Sequence, residues 1–273
     1  MLRRLADAGL DAITQSLMRP RRLSFYPTLL ALTLAAAGGC ARTGTGSNTA
    51  ASPSVSPPAG TPAQANALSE AERAAGWRLL FDGRTANGWR GYRQQAMPNG
   101  WRVADGTLTK DAGTGDILTT DQFGDFELVL DWRIGAGGNS GIFYRGTEEY
   151  DHVYWSAPEY QLLDDAAAPD GRNRLTSAAS AYALYAAPAG IVRPAGEWNT
   201  TRIVARGARV EHWLNGQRVV QYELWSPDWE AKVKASKFGD WPNYGRAKRG
   251  HIAIQGDHNG VLALRNIKLR TLP

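Results

Sequence analysis

Glu159, Gln161 and Asp164 stand in the run 157–165, "APEYQLLDD", at the spacing E-x-Q-x-x-D. Two carboxyls facing each other across a glycosidic bond can cut it, at about 5–5.5 Å with retention and about 6.5–9.5 Å with inversion. Alternation in a strand puts Glu159 and Gln161 on one face and Tyr160 and Leu162 on the other. Asp164 lies further along, about 16 Å from Glu159 at roughly 3.3 Å per residue. The two acids can therefore pair only if a bulge shortens the path. With an amide in the middle position, the strand offers one well-placed carboxylate rather than two.

Other polar residues sit where strands end. His258, in "QGDHNG", leaves a strand into a glycine-flanked turn, which reads either as a working imidazole or as a surface turn histidine. Histidine is the residue type whose charge changes nearest neutral pH. Asp257 either orients it or makes the turn through its own side chain. Gln255 shares a face with His251 in "HIAIQ" and is placed to donate to a ligand. Arg145 follows "NSGIFY", in phase with Phe143 and Gly141. It reads as a ligand for a substrate oxygen or as an ion-pair partner of Glu159 or Asp164. His152 and Trp155, in the loop before "PEYQ", are expected to wall the site. His212 alternates with Val210 and Leu214 and reads as packed structure. His152, Glu159, Asp164 and His258 could in principle share a metal. None of the compact zinc or EF-hand spacings occurs, so no metal is assigned, although a divalent ion is left open.

The elements that must position these residues are strands. "DFELVLDWRI" alternates Phe126, Leu128, Leu130 and Trp132 with polar partners, and "SGIFYRG", "PEYQLLD", "GHIAIQGDH" and "GVLALRNIKLR" continue the pattern. In "VEHWLNGQRVVQY", Asn215-Gly216 separates two alternating runs and predicts a two-residue hairpin. Many short strands with frequent turns predict an all-β sandwich of jelly-roll type. All ten tryptophans fall in this region. Most read as core, but Trp155, Trp225, Trp229 and Trp241 lie in loop-like stretches where stacking on a sugar becomes plausible. "WSPDWEAKVKASKFGDWPNYGRAKRG" is a long insertion without strand pattern, of the kind that often carries function.

The N-terminal residues read as an address. Arg19, Arg21 and Arg22 precede an apolar run too short to span a bilayer, ending at Gly38-Gly39-Cys40. Residues 1–39 form the expected export signal, with Met18 as an alternative start. Cys40 is the expected lipidation site, against the alternative of a free buried thiol. Residues 40–75 are rich in Ser, Thr, Pro, Gly and Ala and read as a disordered tether. Within it, "LSEAERAAG" predicts a short helix capped by Ser69 and Glu72. The globular part is expected over 76–273. The formal charge of +5 is mostly in the signal: five arginines against Asp7 and Asp11 give +3 there and leave +2 elsewhere. That is no footprint for nucleic acid. The one cysteine excludes an internal disulfide, so the fold stands on its core.

Six segments in order, "GWRLLFDGRTANGWRGY", "WRVADGTLT", "FELVLDWRIGAGGNSGIFYRG", "PEYQLLDD", "GEWNTTRIVARGARVEHWLNGQRVVQYE" and "GHIAIQGDHNGVLALRNIKLR", resemble the 3-keto-disaccharide hydrolase family. The resemblance implies a concanavalin A-like jelly roll of two antiparallel sheets. It also implies cleavage of glycosides whose sugar has first been oxidised at C3, by an exported protein. A C3 ketone acidifies the C2 hydrogen, so one base, one acid and donors for an enolate oxygen suffice. On that basis His258 and Glu159 are the expected catalytic pair. Arg145, Gln161, Gln255, Asp164, Trp155, His152 and Asp257 are the expected substrate ligands. No organic cofactor is expected. An upstream sugar 3-dehydrogenase is the expected pathway partner, with membrane attachment through the N-terminal lipid and a periplasmic or cell-surface location. Two alternatives stand beside this: a non-catalytic lectin-like module, and a lyase that stops at the enone.

Overall fold

The structure, a computed structural model, describes residues 64–273. The expected export signal, Cys40 and the expected tether up to residue 63 lie outside the described residues. In chain order the strands are β1 (Arg78–Leu79), β2 (Trp89–Gly91), β3 (Arg102–Ala104), β4 (Thr107–Lys110), β5 (Ile117–Phe123), β6 (Phe126–Ile134), β7 (Asn139–Gly146), β8 (Glu159–Leu163), β9 (Asn199–Arg206), β10 (Arg209–Leu214), β11 (Gln217–Glu223), β12 (Gly250–Ile254) and β13 (Leu262–Thr271). They form two antiparallel sheets. The larger runs β11-β10-β9-β6-β13-β4-β3, with β1 on β13, and the smaller runs β2-β5-β12-β7-β8.

The alternation read in the sequence decides what the sheets bury. Phe126, Leu128, Leu130 and Trp132 of β6 face Ile142, Tyr144, Tyr160, Leu162 and Ile254 of the smaller sheet in one apolar core. Each fully buried side chain of this size contributes about 1.5–3 kcal/mol. Asn215 and Gly216 both adopt positive φ, 50° and 83°, between β10 and β11, the mirror-image turn that the sequence predicts. His212 is fully buried, its Nδ1 3.0 Å from the Ala179 carbonyl and its Nε2 2.9 Å from the Tyr144 hydroxyl. Burial lowers its pKa to about 4, so it sits neutral in the core, as its alternation suggests.

Helix α1 (Glu70–Ala74) carries the expected capping box between Ser69 and Glu72. The chain meets the larger sheet ahead of Gly76: Asn66 and Asn266 exchange backbone and side-chain hydrogen bonds. The long insertion contains helix α2 (Pro227–Ala235), capped by the Ser226 hydroxyl accepting from the Trp229 amide at 3.2 Å. Proline at the first turn with Asp228 and Glu230 after it was the available signal. Trp229 locks the insertion in place through a near-parallel stack with Tyr222 and Tyr244, and Phe238 stacks on Tyr244 at 4.0 Å.

Candidate active site

Glu159 and Gln161 leave β8 on the face turned away from the sandwich core, as alternation requires, while Tyr160 and Leu162 enter that core. On this outer face a cavity of about 220 Å³ is lined by Asn139, Glu159, Gln161 and Gln255 from the strands. Tyr154, Asp170, Tyr182 and Lys237 close its sides, with Asp257 and His258 at one rim. Glycine makes room for the carboxyl. A Cβ on Gly141, opposite Gln161 on β7, would lie 2.1 Å from Glu159 Oε1.

The loops reach the cavity because backbone groups of β8 hold them. β8 is an edge strand, and residues 179–182 cover it: the Tyr182 amide donates to the Glu159 carbonyl at 3.1 Å and the Gln161 amide to the Ser180 carbonyl at 3.2 Å. Lys237 is carried in next to the stacked Phe238, and its Nζ lies 4.4 Å above the Tyr182 ring. The His258 loop is fastened from beneath. Lys110 Nζ donates to the His258 carbonyl at 2.6 Å and to the Gly260 carbonyl at 3.3 Å. Asp116 Oδ1 accepts from the Gly256 amide at 2.7 Å. Burial pushes Asp116 up to about 6, against the hydrogen bond from Gly256, and pushes the Lys110 amine down.

Two features give the cavity chemistry. First, four buried amide atoms have no hydrogen-bond partner among the described residues: both of Gln161, Oε1 of Gln255 and Oδ1 of Asn139. Each such group costs about 1–3 kcal/mol if left unpaired. A ring of ligand hydroxyls, each both donor and acceptor, would satisfy them. Second, the Glu159 carboxyl accepts no hydrogen bond from the described residues. Burial raises its pKa from 4.5 to about 8, with Lys237 pulling the other way. It is a proton donor at neutral pH.

Several expected ligands lie elsewhere. Arg145 does not face the cavity. Between β7 and β12 the register runs Phe143↔Ala253 and then Gly146↔His251, so β7 carries an extra residue. Such a bulge reverses the alternation, and Arg145 takes φ +55° and turns to the sandwich end. Its guanidinium donates to the Gly124 carbonyl (3.0 Å), the Gly207 carbonyl (2.9 Å) and Asp125 (3.0 Å), not to Glu159 or Asp164. Arg145→Met should therefore cost about 2–4 kcal/mol of stability, since the charge-assisted bonds of a buried guanidinium are lost. Its kcat/KM below the melting range should stay within twofold, and a selective loss of activity would return Arg145 to the site.

Asp164 likewise serves a turn. Its carboxylate accepts from the Gly137 amide at 2.8 Å and the Ala166 amide at 3.2 Å. Trp155 stacks on Trp241 at 4.1 Å, and His152 stacks on Tyr154 at 4.8 Å. Both back Tyr154, which is the residue that meets the cavity. No tryptophan lines it: Trp225 donates to the Gly245 carbonyl and Trp229 is core. Asp257 Oδ1 is 3.8 Å from His258 Nε2, too far for the orienting hydrogen bond. With Asp164 and His152 turned aside, the four residues that could share a metal do not converge.

Asn139, Tyr154, Asp170, Tyr182 and Lys237 were not anticipated. Asn139 had a readable signal, since it alternates in phase with Gly141 on β7. The others stand in short 3-10 turns (Tyr154, Asp170) or loops (Tyr182, Lys237), where no periodicity points inward.

A concanavalin A-like sandwich with an amide-lined, ring-sized cleft and one protonated carboxyl on its smaller sheet belongs among carbohydrate-handling jelly rolls. More narrowly, the chain belongs to the family of 3-keto-alpha-glucoside-1,2-lyase-like domains, which matches residues 76–270. It is 33% identical over 231 residues to the 3-keto-disaccharide hydrolase of Bacteroides thetaiotaomicron, covering 73% of this chain and 79% of that relative. A candidate glycosyl hydrolase of Parabacteroides distasonis ATCC 8503 superposes with a TM-score of 0.72 at 32% identity, over 77% of this chain and 100% of that one. A second from the same organism gives 0.58 at 26% identity, over 72% and 99%.

Proposed function

We propose that this protein, a glycoside-cleaving enzyme by kinship, cuts the glycosidic bond of 3-keto-glycosides, including 3-keto-disaccharides, by elimination and hydration. The observation that carries the reading is Glu159: a buried carboxyl with no hydrogen-bond partner among the described residues, in a cleft of unsatisfied amides with a histidine at its rim.

His258 takes the C2 proton, and the C–H electron pair enters an enolate whose oxygen carries the charge. Lys237, in the role expected of Arg145, supplies the cation for that oxygen. The enolate then reforms the ketone and expels the C1–O bond pair. Glu159 protonates the departing oxygen, leaving a free alcohol and a C1=C2 enone. Addition of water, hydroxyl to C1 and proton to C2, gives net hydrolysis, whereas release before that step gives a lyase. Gln161, Gln255 and Asn139 hold the ring hydroxyls. The ketone must be made by an upstream sugar dehydrogenase. The reading includes export and attachment through a lipid on Cys40, which rest on the sequence of the N-terminal segment.

The test is hydrogen exchange at C2 of a 3-keto-glucoside in D₂O, followed together with aglycone release. Wild type should show both. His258→Ala should lower both by about 10²–10⁴-fold, the usual contribution of a positioned base. A wild-type protein that shows neither exchange nor release sinks the reading, and an unimpaired His258→Ala sinks the assignment of the base.

A further inference from the structure

We propose that a hollow beside the cavity is the seat of the leaving half of the substrate and favours an aglycone with an apolar ring. This rests on the reaction proposed above and extends it to specificity. The cavity, at about 220 Å³, is smaller than the roughly 300–1,000 Å³ that drug-sized ligands occupy. It takes one pyranose ring, whose hydroxyls meet the orphaned amides, so the group attached at C1 lies outside.

A second hollow of about 440 Å³ adjoins it and shares Tyr182 and Lys237 as its wall. Its remaining surface is largely carbon: Leu175, Ala183, Leu184 and Ala235. No carboxylate lines it, and its other charge, Lys232, is held by Asp228 at 3.2 Å. Leu175 is one of two large apolar side chains left exposed among the described residues, at 38%. It does not stand on a loose tip, because its carbonyl accepts from the Ala183 amide at 2.8 Å and its amide donates to Asn173 Oδ1 at 3.0 Å. A largely carbon-lined hollow that opens beside a polar cleft is suited to a ring that must lie partly out of water.

The proposal is tested with 2-phenylethyl and ethyl 3-keto-α-glucosides, whose leaving alkoxides are similar in basicity. Leu175→Asp should lower kcat/KM for the phenylethyl glycoside about tenfold, mainly through KM, as expected for a lost apolar contact. The ethyl glycoside should change less than twofold, and Leu175→Met should restore the preference. Equal effects on both glycosides, or none on either, would overturn the proposal and leave the hollow as surface relief. If wild type cleaves neither compound, the reaction reading falls, and calorimetric binding still decides the hollow. The phenylethyl glycoside must then bind more tightly than the ethyl one, and Leu175→Asp must remove that margin.

Discussion

Glu159→Gln is expected to reduce kcat/KM by about 10²–10⁴-fold, the range for loss of a positioned acid, and at the same time to stabilise the fold at alkaline pH. In the unfolded chain the carboxyl releases its proton near 4.5, whereas the folded chain retains it to about 8. Below 4.5 both states are protonated and the variant has no advantage. From 4.5 to about 8 the unfolded state binds fewer protons, so wild-type stability falls as pH rises. Above 8 the deficit is constant. The amide has no proton to lose, so its advantage should grow through that window to a few kcal/mol, on the order of 5 °C or more in melting temperature. The measurement is a pair of thermal melts at pH 4.5 and 8.5. Equal melting temperatures at pH 8.5 would show that the carboxyl is not held protonated. In the proposed role, wild-type activity should also fall as pH rises through about 8, because the acid is then spent.

Gly141→Ala should be nearly as damaging to catalysis through a different cause. Glycine is needed for space rather than for backbone freedom, as it lies in regular β7 opposite Gln161. The added Cβ would sit 2.1 Å from Oε1 and 2.8 Å from the Cγ and Cδ of Glu159, so the carboxyl must move. Displacement of a reacting group by about 1 Å can cost about 10²-fold in rate, and overfilling the site should cost about 1–3 kcal/mol in stability. The two substitutions act on one carboxyl, so the double variant should be scarcely slower than Glu159→Gln alone. Additive rate losses would mean that Gly141 acts on something other than the position of Glu159.

Much of the fold was legible because strand alternation is a local consequence of the pleat. The apolar series in β6 found the core, Asn215-Gly216 found its hairpin, and Ser69 with Glu72 found the short helix. The same rule placed Glu159 with Gln161 and separated Tyr160 from them. It failed at Arg145, where one extra residue in β7 reverses the phase. It was also silent on loops, so the expected Trp155, His152 and Asp164 gave way to Tyr154, Tyr182 and Asp170.

From the sequence alone follow the all-β sandwich, the single carboxylate of β8, the amide beside it and the histidine at a strand end. These depend only on residue type and on geometry within a few positions. The tertiary structure alone decided what surrounds that carboxylate. Gly141 gives it space, burial holds its proton, and the Phe238–Tyr244 stack brings Lys237 to its cavity. Asp116 and Lys110 fix the loop that presents His258. These are contacts between segments far apart in the chain, and no local periodicity encodes which of them meet.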